Sequence, residues 1–166
     1  MPQNYEQQAI DWQVQFISPY KHGYFITLNT NIYEDRLKIY SHTFDQFETN
    51  LRSIVHALNV FCLGRSYLRN ENQLHTLVSM EIGKENSRLH AHLFALHKGE
   101  CKRSSIEVFD RLRTKIVRSY GLPTTRSAIE VSDFVPILGA TTGTKYFHKS
   151  SEHLMRRYGV TNCFIV

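Results

Sequence analysis

Cysteine is scarce in this sequence, and the cysteines present are widely scattered. Cys62, Cys101 and Cys163 are odd in number and form no CxxC pair. A disulfide framework and a cysteine-based zinc site both need more cysteines at closer spacing. We therefore expect neither, and a reducing compartment such as the cytoplasm suits the chain best.

Long apolar runs and export signals are also missing. No stretch is long enough to cross a bilayer, and the opening residues MPQNYEQQAIDWQ lack a basic region followed by an apolar core. We therefore expect a protein that is neither exported nor inserted in a membrane. Repeats and low-complexity tracts are absent too. A length of 166 residues with 42% hydrophobic composition suits one globular domain that spans 1–166.

Negative charge is in the minority. The chain has 20 Lys and Arg against 15 Asp and Glu, which gives a formal net charge of +5. Much of the positive charge lies in the second half of the chain. This balance favours a polyanionic partner such as nucleic acid, although many soluble proteins share it.

Hydrophobic patterning predicts an α+β domain. The stretches with the composition or alternation of strands are Gly23–Thr30, Leu74–Ile82, Leu89–Leu96, Ala128–Phe134 and Asn162–Val166. Three helices are expected. The first begins at Thr43, and its apolar stripe consists of Phe44, Phe47, Leu51, Ile54, Val55 and Leu58. The second begins at Ser104, which caps it together with Glu107, and has Ile106, Phe109, Leu112 and Ile116 on its stripe, while the third runs from near Thr141 to Gly159. This order of elements suggests an antiparallel sheet covered by helices.

Two histidines separated by one residue lie in the second strand of a predicted hairpin. Because side chains alternate along a strand, His90 and His92 share a face. Pairing the apolar faces of the two strands sets Ile82 opposite Leu89 and Glu81 opposite His90. Two imidazoles and a carboxylate on one face can hold a divalent ion and leave positions for water or a phosphate oxygen. The alternative is that these side chains lie on the open side of a sheet without a ligand.

Two further histidines are close in sequence but are not expected to join this group. The same register sets His75 opposite Leu96, on the order of 13 Å along the strand from His92. Alternation turns His97 to the other face.

The last predicted helix contains a tyrosine next to positive charge. At helical spacing Tyr146, Lys149 and His153 cluster on one stripe, apart from the apolar stripe of the same helix. A tyrosine can act as a covalent nucleophile once its proton is removed or its charge is stabilised, and a nearby lysine favours both. Taken alone, a Tyr-x-x-Lys pattern is also met on ordinary helix flanks.

The order of these motifs resembles that of the HUH endonucleases of the rolling-circle replication initiator (Rep) type. The matching segments are the strand FITLNT, then MEIGKENSRLHAHLFA with its two histidines, then KYFHK with Tyr-x-x-Lys. The residue between the histidines is the small Ala91, and the third motif holds one tyrosine, which is typical of a single-tyrosine member. In relaxases of the superfamily the nucleophile precedes the histidines, whereas here it follows them.

The resemblance implies a ferredoxin-like or RRM-like antiparallel sheet and a set of residue roles. Glu81, His90 and His92 would hold Mg²⁺ or Mn²⁺ against the scissile phosphate of single-stranded DNA or an origin hairpin. Tyr146 would attack phosphorus, leaving a 5′-phosphotyrosine link and a free 3′-hydroxyl, while Lys149 would orient the phosphate or the tyrosinate. A helicase is a further partner that such an initiator implies, and the host cytoplasm is the expected location for a viral or plasmid-encoded protein.

Basic residues around these motifs are candidates for phosphate contacts. They are Arg111, Lys115 and Arg118 on the second predicted helix, and Lys145 and His153 near the tyrosine. A solvated helix face is the alternative for the first three. Tyr24, Phe25 and Phe94 are candidates for stacking on an unpaired base, with burial in the core as their alternative.

Three other functions compete with the replication initiator. Small transposases of the same superfamily share the motif order. A non-catalytic nucleic-acid-binding module with a ferredoxin-like sheet would make the histidines incidental. Non-haem iron oxygenases also use two histidines and a carboxylate, but the predicted helices and the basic charge disfavour that class.

Overall fold

Three helices and five strands are present in the computed structural model, which describes residues 5–33, 42–69, 72–83, 88–116, 128–134 and 163–166. In chain order they are α1 Tyr5–Ile17, β1 His22–Tyr33, α2 His42–Leu63, β2 His75–Ile82, β3 Arg88–His97, α3 Ser105–Arg111, β4 Ile129–Asp133 and β5 Cys163–Ile165. A π-helical turn, Leu112–Ile116, continues α3. The predicted α+β class is confirmed.

The five strands form one antiparallel sheet in the order β4-β1-β3-β2-β5. β1 and β2 therefore run in the same direction on either side of β3, and α2 connects them. α3 lies between β3 and β4 in the chain, and these two strands likewise run in the same direction, on either side of β1. This is the split β-α-β arrangement of ferredoxin-like domains.

One face of the sheet packs against α2 and α3, and we call it the helical face. Its buried strand residues include Ile26, Leu28, Met80, Ala91 and Leu93. The α2 side chains that contact them are Phe44, Phe47, Leu51, Ile54, Val55 and Leu58, all buried as the helical spacing predicted. Removing this apolar surface from water is the main stabilising contribution to such a layer.

The buried stripe of α3 differs from the prediction. Val108 and Leu112 are fully buried, whereas Ile106 is 72% exposed. Ser104 caps the helix as predicted, with its side chain accepting from the backbone of Glu107 while the Glu107 carboxylate accepts from the Ser104 N–H at 2.9 Å. At 100° per residue Ile106 points nearly opposite to Val108, so a stripe centred on Val108 and Leu112 excludes it.

The helix α1 was not predicted from the sequence, and it covers part of the other face of the sheet. There Ile17 and Tyr20 contact an apolar cluster that includes Leu77, Phe94 and Leu96. One position that α1 buries is polar, since Gln13 is 3% exposed, while Trp12 is 45% exposed. Hydrophobic periodicity therefore gives a poor signal for this helix. We call this second face the histidine face, because His90 and His92 project from it.

We expect Leu112→Ala to lower the free energy of unfolding by about 2–5 kcal/mol, because it removes fully buried methyl groups and leaves a cavity. Ile106→Ala in α3 is the matched control and should change stability by less than about 0.5 kcal/mol, because its side chain is largely in water. Urea unfolding monitored by circular dichroism measures both values. An equal loss for the two variants would contradict the assignment of the buried stripe.

Candidate active site

The central strands align polar side chains in two rows across the histidine face. One row runs Asn29, His90, Glu81 over β1, β3 and β2. The next runs Glu130, Thr27, His92, Ser79, Cys163 from one edge of the sheet to the other. The predicted pairs Glu81 with His90 and Ile82 with Leu89 are confirmed. Register thus brings the carboxylate and both imidazoles onto neighbouring strands of one face.

His92 is held on three sides. Its Nε2 lies 2.9 Å from Glu81 Oε1, and its Nδ1 lies 3.1 Å from Thr27 Oγ1. The ring of Phe25 stacks nearly parallel to the imidazole, with centroids 5.8 Å apart and an interplanar angle of 6°. Because a carboxylate can only accept, Nε2 donates to Glu81 in this arrangement, and the Thr27 hydroxyl is the hydrogen-bond partner at Nδ1. The side chains of His92 and Glu81 are 7% and 15% exposed.

His90 is oriented by an amide from the neighbouring strand. Its Nδ1 hydrogen-bonds to Asn29 Oδ1, which fixes the ring from the β1 side. Burial lowers the pKa of His90 below its usual value, and the charges of His92 and Arg88 lower it further, whereas the Glu81 carboxylate opposes the shift. The neutral imidazole is therefore favoured at neutral pH, which is the form that binds metal ions.

The fit of these side chains to a divalent ion is partial. Within the described ranges, no three His, Cys, Asp or Glu side chains are arranged together as a metal-ligand group. Glu81 Oε1 and His92 Nε2 are nevertheless 2.9 Å apart, and neighbouring ligands of an octahedral ion with bonds near 2.1 Å are about 3.0 Å apart. Glu81 and His92 are thus spaced as two adjacent ligands of such an ion would be, and His90 lies directly opposite Glu81 on the adjacent strand.

Apolar packing closes the site on the side of α1. Phe94 is 2% exposed and contacts Phe25 at 4.9 Å and Phe134 at 6.1 Å between ring centroids. Tyr24 faces the helices, where its hydroxyl donates to the Arg103 carbonyl at 2.7 Å. Burial excludes Tyr24 and Phe94 as base-stacking platforms in this structure, while Phe25 stays half-buried beside His92.

Two buried polar atoms lie near this packing without a hydrogen-bond partner among the described residues, Ser79 Oγ and Gln13 Oε1. Ser79 is paired with His92 on one side and with Cys163 on the other. Burial raises the pKa of the Cys163 thiol to about 12. Burial therefore favours the protonated thiol, which is a poor nucleophile.

The two other histidines lie where the register predicted. His75 is opposite Leu96, and its ring packs against Tyr20 with centroids 5.4 Å apart. His97 is buried and bonds through its ring nitrogens to Asn72 Oδ1 at 2.6 Å and to the Gly99 carbonyl at 3.0 Å.

The predicted helix from near Thr141 to Gly159 lies outside the described residues. So do several predicted site residues: Tyr146, Lys149, Lys145, His153 and Arg118. The backbone of Lys115 is described as part of the π-helical turn, but its side chain is not. Arg111 is described, and its guanidinium lies over the Phe61 ring of α2, 5.3 Å from the centroid. It therefore belongs to the helical layer and not to the face with His90 and His92.

Sequence reasoning missed the supporting roles of Thr27 and Asn29. The signal was available, because alternation along FITLNT puts Phe25, Thr27 and Asn29 on one face. What the sequence did not give was the pairing of β1 with β3, which sets Thr27 opposite His92 and Asn29 opposite His90.

No protein-family model, curated protein or solved structure matches this chain. Among the described helices, none has the length and apolar character needed to cross a membrane.

Because Glu81 and Arg88 act on His90 with opposite signs, their removal should move its pKa in opposite directions. In metal-free protein kept in EDTA, we expect Glu81→Gln to lower the pKa of His90 further and Arg88→Gln to raise it. NMR titration of the histidine ring protons measures both shifts. A rise in the Glu81→Gln variant would contradict this account of the site.

The same shift has a consequence for stability. Folded His90 binds its proton more weakly than the unfolded chain does, so its contribution to the free energy of unfolding is complete above the unfolded pKa, about 6.5. It is lost as the pH falls below that value.

Proposed function

We propose that this chain is a metal-dependent endonuclease that nicks and rejoins single-stranded DNA through a covalent 5′-phosphotyrosine intermediate, as a Rep-type initiator of rolling-circle replication does. The observation that supports it most directly is the position of Glu81, His90 and His92 on paired central strands, with Glu81 Oε1 2.9 Å from His92 Nε2. The order of the sequence motifs and the net charge of +5 agree with this function.

Glu81, His90 and His92 are the residues proposed to hold Mg²⁺ or Mn²⁺. The bound ion would polarise a phosphoryl oxygen and offset the charge that develops in the transition state. Thr27 and Asn29 orient the two imidazoles from the neighbouring strand, which is the usual task of outer-shell partners in metal sites. Half-buried Phe25 holds the plane of the His92 ring.

Tyr146 is the proposed nucleophile. Its phenol loses a proton, and the oxygen attacks phosphorus in line as the bond from phosphorus to the 3′-oxygen breaks. The 3′-oxygen takes up a proton and leaves as a free hydroxyl, while the 5′-phosphate stays on the tyrosine. Attack by a second 3′-hydroxyl reverses the step, so the phosphodiester is conserved without ATP. Lys149 is assigned to orienting the phosphate or the tyrosinate.

The connectivity of the sheet supports a route from Tyr146 to this site. Residues 135–162 join Phe134, which follows the edge strand β4, to Cys163 in the opposite edge strand β5. The two edges are separated by about 19 Å at the usual strand spacing. Both end residues contribute to the apolar cluster of the histidine face. The segment that contains Tyr146 thus starts and finishes beside the face that presents Glu81 and the histidines.

Incubation with a random-sequence pool of single-stranded oligodeoxynucleotides and Mn²⁺ should give a protein-DNA adduct that survives denaturing electrophoresis. We expect Tyr146→Phe to abolish the adduct and leave DNA binding intact, because only the nucleophilic oxygen is lost. Tyr67→Phe is the matched control, since Tyr67 bonds to His56 on α2, and it should form the adduct normally. A wild-type protein that binds DNA but forms no adduct with Mn²⁺ or Mg²⁺ would instead indicate a non-catalytic binding module.

Metal binding offers an independent measurement. We expect Glu81→Gln and His92→Gln to abolish Mn²⁺ binding in isothermal titration calorimetry, and Thr27→Val to weaken it by about 10-fold or more, because the bond that orients His92 is lost. Thr49→Val is the control, since the Thr49 hydroxyl bonds to a backbone carbonyl within α2. Equal affinities for Thr27→Val and the wild-type protein would contradict the supporting role of Thr27.

A further inference from the structure

Arg88 extends the line of polar side chains along β3. It precedes His90 by two residues, so alternation puts Arg88, His90 and His92 on the same face. Two residues along a strand cover about 7 Å, which is close to the distance between adjacent phosphates of an extended single strand. The charge of Arg88 acts on His90, which agrees with this proximity.

Tyr33 is paired with Arg88 at the end of β1. The guanidinium Cζ of Arg88 lies 5.0 Å from the centroid of the Tyr33 ring, and its Nη2 donates to the phenol oxygen at 2.7 Å. Cation-π stacking and this hydrogen bond together orient the guanidinium. Tyr33 is 38% exposed, so its ring also presents apolar surface to solvent.

An irregularity in β1 produces this pairing. Asn29 is opposite His90 and Tyr33 is opposite Arg88, so between these pairs β1 advances four residues while β3 advances two. Thr30 fixes the irregular segment, since its hydroxyl donates to the Leu89 carbonyl at 2.7 Å and accepts from the Ile32 N–H at 3.0 Å. Bulges of this kind redirect side chains and are frequent next to active sites. Here the bulge turns an aromatic ring onto the arginine beside His90.

We propose that Arg88 and Tyr33 form a nucleotide subsite next to the candidate active site, in which Arg88 binds a backbone phosphate of single-stranded DNA and Tyr33 stacks on the attached base. A guanidinium suits phosphate because its planar donors match the phosphate oxygens, and an exposed aromatic ring suits any unpaired base. The inference rests on the proposed function for its substrate class. It adds a sequence-tolerant contact that positions the strand adjacent to the scissile phosphate.

The test measures binding without metal. Fluorescence anisotropy of a fluorescein-labelled oligothymidylate is followed in EDTA at several salt concentrations. We expect Arg88→Gln to weaken binding and to reduce the slope of log affinity against log salt by about 0.7, the value for one phosphate contact to a single strand. Tyr33→Leu should weaken binding about fivefold or more and leave that slope unchanged, because stacking releases no counterions.

Arg113→Gln is the matched control. Arg113 also lies over an aromatic ring, that of Phe109 at 5.8 Å, but in the helical layer. We expect it to bind the oligothymidylate like the wild-type protein. Equal affinity and slope for Arg88→Gln and Arg113→Gln, or no binding by the wild-type protein at low salt, would overturn the subsite.

Two conservative variants separate binding from folding. Arg88→Lys keeps the charge and should restore the salt slope, and Tyr33→Phe keeps the ring and should restore most of the affinity. If neither restores binding, the subsite is wrong. Adduct formation is measured separately with Mn²⁺. If Arg88→Gln binds the oligothymidylate like the wild-type protein and the wild-type protein forms the adduct, only the subsite is rejected. If Arg88→Gln weakens binding but the wild-type protein forms no adduct, only the nuclease activity is rejected.

Discussion

The antiparallel register around β3 is the constraint on which the rest of this structure depends. A strand sends alternate side chains to opposite faces, so one choice of register fixes the composition of both faces at once. In β3 it sends Leu89, Ala91 and Leu93 to the helical layer and His90 and His92 to the other side. A slip of one residue would bury the imidazoles among aliphatic side chains without partners, at a large desolvation cost. The stability of the core therefore also determines the geometry of the candidate site.

The histidine face has an apolar part and a polar part. Towards α1 it is apolar and buried, with Phe94 and Leu96 packed under Ile17 and Tyr20. Towards the other end it is polar, with Glu81, His90 and Asn29. Phe25 and His92 meet at the boundary, where the stacked rings exclude water from one side of the imidazole while hydrogen bonds hold its edges. A site at such a boundary combines a lowered local dielectric with fixed polar groups, which strengthens each electrostatic interaction.

The elements that were predicted correctly from the sequence have a strong hydrophobic periodicity. The α2 stripe and the hairpin register follow from spacings that only one periodic structure satisfies, and Glu81 was placed opposite His90 by the apolar pattern alone. α1 was missed because its buried face includes Gln13 and its Trp12 is exposed, so its composition gives little contrast between faces. The supporting bonds from Thr27 and Asn29 depend on the neighbour of β3, and strand order is a tertiary property that local periodicity does not encode.

The Glu81-His92 hydrogen bond also determines how protonation would be coupled to metal binding at the proposed site. The atoms that form it, Oε1 and Nε2, are the same two that a divalent ion would need, and a proton now lies between them. An ion can bind Nε2 only after that proton leaves or moves to Nδ1, and the Thr27 hydroxyl lies within hydrogen-bond distance of Nδ1, at 3.1 Å. A hydroxyl can take either role, so Thr27 permits the change of tautomer without losing its bond to the ring. Ion and proton would thus compete for the same two atoms, and the affinity of the proposed metal site should fall as the pH is lowered.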